Sequence, residues 1–283
     1  MRLFRGLQGA RDTSRAVVGR DSSRGGPDNG PVIVLVDSVR GDADTLEWAA
    51  AEAAARGSEL RIVHAFRWPH VFDPFGNLSV DLQARGAAEG VVVAARRRAR
   101  RIASSVRITA LVYPGGAKAA LVSEARKTTR ALVVVGHDRR DRTLSRRLAR
   151  RTTASLAVIG LSDQAAVGPS LGRVVVGDGG PQALGFAFRA ARRRGTGVTI
   201  VDATPPNGDL EDLVRLWRMA YPEVDVRWRI ARGPADGAVL AESAAAALTV
   251  LGPVRRRRIS GSTSDDVLRL ARGPVVMVGP GTV

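Results

Sequence analysis

The stretch PVIVLVDSVR, at Pro31–Arg40, decides the fold of this chain. Its apolar residues run from Val32 to Val36 without alternation, and most of them are β-branched. A short run of this kind is typical of a strand that is buried on both faces of a parallel sheet. The run ends at Asp37, which places a carboxylate at the carboxyl end of the predicted strand.

The same pattern returns later in the chain as RVVVGDGGP, at Arg173–Pro181, where the apolar run leads into Asp178. Each copy opens a half in which short apolar strands alternate with amphipathic helical segments. Such alternation requires right-handed crossovers and a parallel sheet that is covered by helices. We therefore predict an α/β protein with two tandem open parallel five-stranded sheets, helices on both faces, and domains at residues 31–162 and 170–283.

The composition limits the classes of function. Residues 1–30 lack apolar periodicity and are interpreted as a disordered basic tail. The formal net charge of +17 comes mostly from Arg, which is typical of a GC-rich genome or of contact with a polyanion such as nucleic acid. The absence of Cys excludes disulfides and thiolate catalysis, and it fits a cytoplasmic location. No apolar run reaches the roughly 20 residues of a membrane span, and we find no secretory signal.

Candidate ligand-binding residues stand where the first and fourth predicted strands end. Asp37 and Asp178 follow the first strands, and Gly136 and Gly252 follow the fourth. Open α/β sheets bind ligands at the carboxyl ends of their strands, where the strand order reverses. If the first and fourth strands are neighbours, each Asp meets the Gly of its own half. An Asp at this position also serves as a turn residue or helix cap, and both interpretations stay open.

Enzyme signatures are absent from the sequence. It has no P-loop, no G-x-S-x-G elbow and no H-E-x-x-H, and its three His are scattered without metal-ligand spacing. One near miss is Gly177-x-Gly179-x-x-Gln182 with Asp202 further on, which approaches a dinucleotide fingerprint but lacks its third Gly. We therefore predict a protein that is not an enzyme and has no metal site.

The order of these elements resembles that of a tandem universal stress protein. The matching segments are VLVDS at Val34–Ser38, RIVHAF at Arg61–Phe66 and LVVVGH at Leu132–His137, followed in the second half by VVVGDGGP, VTIVDA, LTVLGP and GPVVMVG. The resemblance implies strand order 3-2-1-4-5 in each half and a role as a stress-response binding or regulatory protein. It also implies that the halves pair with each other, and it leaves open whether two chains form a homodimer.

The resemblance further implies an adenine nucleotide, ATP in the first instance. Family members that bind ATP carry G-x2-G-x9-G-[ST] after strand four, and here both halves depart from that pattern because the middle Gly is missing. The implied site is stronger in the second half. It comprises Asp178, Ala203, Gly252, Gly261, Ser262 and Thr263, with Asp37, Ala65 and Gly136 as the first-half equivalents. The alternative is a scaffold that binds no nucleotide and contacts proteins or polyanions through its Arg-rich loops.

Overall fold

The structure of the chain is a computed structural model. It describes residues 30–67, 70–72, 78–80, 82–128, 130–137, 144–160, 171–177, 180–202, 208–231, 235–253, 267–268, 270–271 and 273–280. The predicted tail and the predicted boundary between the two domains, at residues 163–169, lie outside these residues.

Twelve strands and seven helices are seen within the described residues. The strands are β1 (Val32–Leu35), β2 (Leu60–Phe66), β3 (His70–Phe72), β4 (Leu78–Val80), β5 (Ile108–Pro114), β6 (Leu132–Gly136), β7 (Ser155–Ile159), β8 (Val174–Gly177), β9 (Val198–Asp202), β10 (Val226–Ile230), β11 (Leu248–Leu251) and β12 (Val275–Met277). The helices are α1 (Ala43–Arg56), α2 (Leu82–Ile102), α3 (Ala117–Ala125), α4 (Leu144–Ala149), α5 (Pro181–Arg194), α6 (Gly208–Ala220) and α7 (Ala235–Ser243).

Ten of the strands form one sheet in the order β10-β9-β8-β11-β12-β7-β6-β1-β2-β5. Each half therefore has strand order 3-2-1-4-5, and the predicted α/β class and strand order are confirmed. The two predicted sheets join through their fifth strands, because β12 pairs antiparallel with β7 at Val275↔Val158, Val276↔Ala157 and Met277↔Leu156. All other neighbours in this sheet are parallel.

The predicted pairing of the two halves is thus present inside one chain. It occupies the outer edges of both fifth strands, through which a second chain would otherwise add. A homodimer stays a prediction, and it would need a different surface. The outer strands of the joined sheet are β5 and β10, and β10 carries exposed Arg227 and Arg229. Charged residues on an edge strand discourage pairing with another sheet.

Each face of the sheet carries a hydrophobic core that runs through both halves. Alternate residues of the buried strands supply the two faces, so that Val32 and Val34 pack on the side of α1 and α2, while Ile33 packs on the side of α3. The central strands, such as β1 and β8, are buried on both faces, as the uninterrupted apolar runs predicted, whereas the outer strand β10 is largely exposed.

Local sequence signals explain where the first helix of each half ends. Gly57 and Gly195 follow α1 and α5, and both adopt the left-handed conformation with φ 61°. Glycine has no Cβ and adopts this conformation without strain, so it terminates the helix. After β2 the short strands β3 and β4 pair with each other in the antiparallel sense and form a separate small sheet. No described helix is long and apolar enough to cross a membrane.

Candidate functional site

The structure brings the three predicted first-half residues to one edge of the sheet. Leu35 pairs with Val63 of β2, so the chain two residues further along places Asp37 beside Ala65. Strand β6 lies on the other side of β1 and ends at Gly136, at the same edge. Asp37 is exposed, and Ala65 is half-buried. The three residues therefore lie at the same edge of the first-half sheet, and their role as a ligand site stays a prediction.

A carboxylate from the chain itself occupies part of this edge. The loop between β1 and α1 folds back so that Asp42 Oδ2 accepts hydrogen bonds from the backbone N–H groups of Asp37, at 2.8 Å, and Ser38, at 2.9 Å. Asp42 directly precedes α1, but its side chain makes no capping bond to the helix. Two adjacent backbone N–H groups pointing at one anion form a small anion-binding concavity, and here Asp42 fills it.

Gly136 has a packing role that is independent of any ligand. A Cβ placed on Gly136 would lie 2.8 Å from Thr45 Oγ1 and 3.7 Å from Asp42 Oδ1. The glycine therefore allows the first turn of α1 to approach β6. Its presence in the sequence is explained by this contact and does not by itself indicate a phosphate site.

His64 lies beneath the same edge, with 8% of its surface exposed. Its Nδ1 is 2.7 Å from the carbonyl oxygen of Val36. Because a carbonyl only accepts, Nδ1 carries the hydrogen and donates it. This side chain therefore links β2 to the end of β1.

In the second half the structure describes fewer of the predicted residues. Gly252 follows β11 directly and is buried, next to the end of β8, since Leu251 pairs with Gly177. Asp178, Ala203, Gly261, Ser262 and Thr263 lie outside the described residues, so their roles stay predictions. Helix α5 begins at Pro181 after Gly180 and has no acidic residue in its first turn. The second half thus has no described counterpart of the Asp42 carboxylate.

Gly177, the first glycine of the near miss to a dinucleotide fingerprint, has a packing role of its own. It is the last residue of β8, and a Cβ there would lie 2.7 Å from Val239 Cγ2 of α7. The residue is small because α7 packs against the strand at this point. Within the described residues, no group of three or more His, Cys, Asp or Glu side chains could hold a metal ion.

Comparison with known proteins agrees with this topology. The sequence model of the Universal stress protein family matches residues 29–158. Residues 29–158 belong to the universal stress protein family. The search of curated proteins gives no match. The second half, which the family match does not reach, repeats the strand order of this universal stress protein domain.

Solved structures show the same fold over most of the chain. A universal stress protein from Archaeoglobus fulgidus DSM 4304 covers 88% of this chain and 96% of its own, with TM-score 0.65 and 16% identity. A universal stress protein in complex with cAMP covers 47% of this chain and 97% of its own, at 21% identity and TM-score 0.37. One from Archaeoglobus fulgidus in complex with dAMP covers 46% and 98%, at 16% identity and TM-score 0.35. The first shows the fold alone, and the other two are too dissimilar to inform the ligand of this chain.

A buried ionic cluster, which the sequence analysis missed, joins the universal stress protein domain to the second half. Glu52 of α1 is 2% exposed. Its Oε1 accepts hydrogen bonds from Arg56 Nε, at 2.6 Å, and from Arg193 Nη2, at 3.3 Å. Its Oε2 accepts one from Arg194 Nη2, at 2.6 Å. Arg193 and Arg194 end α5, so one carboxylate holds the first helices of the two halves together.

The charges in this cluster do not balance. Burial raises the pKa of Glu52, but Arg56, Arg194 and Arg193 together outweigh it and hold that pKa below its usual value. Burial lowers the pKa of Arg193 to about 10, and the neighbouring Arg56 and Arg194 add to this effect. The Nε of Arg193 is buried without a hydrogen-bond partner. Only the repeated arginines at the end of α5 hinted at such a cluster in the sequence.

Proposed function

We propose that this chain is a non-enzymatic stress-response binding protein of the cytoplasm that holds an adenine nucleotide, such as ATP, in its second half. The observation that favours the second half is the position of Asp42. Its carboxylate takes two loop N–H groups of the first-half site and stands beside Gly136. A phosphate group at the same place would meet a like charge and would find those donors occupied.

The second half offers a different environment. Helix α5 has no acidic residue in its first turn, so the positive end of its dipole is not neutralised there. In the proposed site Asp178 holds the adenosine next to Ala203. The backbone of Gly252 and Gly261 approaches the phosphates, as glycine permits, and the hydroxyls of Ser262 and Thr263 donate to them. The sequence also places four arginines, at 255–258, between Gly252 and Gly261, where they would neutralise phosphate charge.

Calorimetric titration of ATP into the full-length chain at physiological salt tests this proposal. Asp178→Ala should weaken binding by about ten-fold or more, because a charge-assisted hydrogen bond to the ligand is lost. Asp37→Ala is the matched control, since Asp37 holds the equivalent position in the first half, and it should leave the affinity unchanged. Saturable binding that depends on Asp37 and not on Asp178 contradicts the proposal, as does the absence of heat at millimolar ATP.

One observation favours a second function, contact with a polyanion. The Arg-rich loops predicted for that role lie outside the described residues, but the last turns of α2 present Arg96, Arg97, Arg100 and Arg101 around a shallow groove of about 560 Å³. Val93, 37% exposed, adds an apolar contact at its edge. Binding of single-stranded DNA to such a surface should weaken steeply with salt, because counterions are released. Arg97→Gln with Arg101→Gln should reduce that salt dependence.

A further inference from the structure

A second basic groove lies on the opposite side of the first half, where α3 faces the end of α4. Its volume is about 480 Å³. It is lined by Lys118, Ala119, Val122, Ser123, Arg126, Lys127 and Arg151. Four of these seven side chains are cationic and none is acidic. Neither the proposed nucleotide site nor the basic face of α2 includes any of these residues.

Charge in this groove is only partly compensated. Glu124 is 3% exposed and forms ion pairs with Lys127 and, at 3.9 Å, with Arg61. Among the described residues, no carboxylate pairs with Lys118, Arg126 or Arg151. Since Glu124 is already shared between two cations, it offsets only part of the positive charge. The groove therefore presents several cationic donors to any ligand that enters it.

The cations stand at the two ends of a short apolar floor. Lys118, Val122 and Arg126 are four residues apart along one stripe of α3, so the two cations are separated by about 12 Å along the helix axis. Val122 and Ala119 lie between them, and Ser123 adds a hydroxyl that can donate or accept. A volume of about 480 Å³ lies within the range of small-molecule sites, roughly 300–1,000 Å³.

The use of lysine at this place is unusual for the chain. Of its 44 basic residues only Lys118 and Lys127 are lysines, and both line the groove. Lysine supplies a compact charge with three donors on a flexible stem, whereas arginine supplies a planar fork that matches phosphate. The groove combines both kinds of donor with a hydroxyl. That set of groups matches the oxygens of a phosphate better than it matches a neutral ligand.

We propose that the groove between α3 and α4 binds a small phosphorylated molecule of about nucleotide size. The phosphate contacts the cluster of Arg126, Lys127 and Arg151, and the rest of the ligand lies over Val122 toward Lys118. A small ligand fits better than a nucleic acid, because the cations surround two turns of one helix and do not extend along the surface. This site is separate from the proposed nucleotide site, and either can exist without the other.

The lysine content gives a selective probe. Reductive methylation with ¹³C-formaldehyde labels Lys118, Lys127 and the α-amino group, and it keeps their charges. The full-length labelled chain is titrated with inorganic pyrophosphate at physiological ionic strength and followed by NMR. Both lysine signals should shift together and saturate at millimolar pyrophosphate. Arg126→Gln with Arg151→Gln should weaken this binding about ten-fold, since two charge-assisted contacts are lost.

Two matched controls separate this site from other effects. Arg215→Gln with Arg218→Gln removes the same charge from exposed positions of α6 and should leave the titration unchanged. Asp178→Ala should also leave it unchanged, even if ATP binding is lost. Shifts that never saturate, that fall equally in the α6 variant, or that disappear with Asp178→Ala overturn the proposal. So does a response of the lysines to single-stranded DNA alone, which would make the groove part of a nucleic-acid surface.

Discussion

Replacing Glu52 with Gln should destabilise the contact between the two halves, because the Glu52 carboxylate offsets the charge of three neighbouring arginines. Gln keeps the shape and one oxygen acceptor but removes the charge. At a separation of about 4 Å and an effective dielectric constant of about 20, each ion pair contributes roughly 4 kcal/mol of attraction. Burial of the charged groups opposes this attraction by several kcal/mol.

The net change follows from what remains after the substitution. Arg56, Arg193 and Arg194 would stay close together in a site where Glu52 is 2% exposed, without an anion to compensate them. Removing one partner of a buried ion pair typically costs about 3–5 kcal/mol. We expect Glu52→Gln to lower the free energy of unfolding by that amount, measured by urea denaturation with circular dichroism and tryptophan fluorescence.

The matched control is Glu47→Gln, five residues earlier in α1. Glu47 pairs with Arg98, but its side chain is 44% exposed, and surface ion pairs contribute about 0–1 kcal/mol. A Glu52→Gln protein whose stability lies within about 0.5 kcal/mol of the Glu47→Gln protein would refute the reasoning. It would mean that solvent or a shift of α5 compensates the arginines, so that the cluster does not hold the halves together.

The pH dependence of this difference supplies an independent check. The pKa of Glu52 is lowered in the folded chain, so its contribution is fully present above the unfolded value of about 4.3. It is lost as the pH falls through the lowered folded pKa, because Glu52 is then protonated in both states. The stability gap between wild type and Glu52→Gln should therefore be constant near neutral pH and should close in acid.

Further variants test the junction, the first-half loop and the second-half sheet. Arg193→Met should be neutral or slightly stabilising in urea denaturation, because it removes the excess cation and keeps the packing volume. Asp42→Asn should cost about 1 kcal/mol of stability and should raise the affinity of the first half for ATP in calorimetry, because the repelling charge is gone. Arg173→Met should lower the free energy of unfolding by about 2–4 kcal/mol in urea denaturation, because the buried guanidinium of Arg173 donates hydrogen bonds to β9 and to Asp225, just before β10. Arg173→Lys should also be destabilising, because a lysine cannot make the same set of hydrogen bonds.

The strands could be predicted because burial on both faces leaves a direct record in the sequence, whereas their order came from the resemblance to the universal stress protein family. The run from Val32 to Val36 has no polar residue, which is typical of a central parallel strand. The ends of α1 and α5 were equally predictable, because Gly57 and Gly195 adopt a conformation that other residues avoid. These signals are local, so one sequence suffices to read them.

Which groups occupy the candidate site was less predictable, because this depends on the orientation of one side chain, that of Asp42. Asp42 stands directly before α1, where an Asp often caps a helix, and the sequence contains nothing to show that its carboxylate reaches back to Asp37 and Ser38 instead. The Glu52 cluster was missed for a related reason. Its four members come from α1 and α5, more than a hundred residues apart, and an arginine that is buried looks the same in the sequence as one that is solvated.

Gly136, which the family resemblance placed at a nucleotide site, is required by packing alone. Gly136 allows Thr45 and α1 to approach β6, so this position must stay small whether or not a nucleotide binds. In the G-x2-G-x9-G-[ST] pattern the middle Gly would stand at Arg139, which lies outside the described residues. The presence of this strand-end glycine therefore does not show whether the chain binds a nucleotide. It follows that Asp178→Ala and Asp42→Asn, which act on charge, test the ligand more directly than any substitution of Gly136, which would disturb the core first.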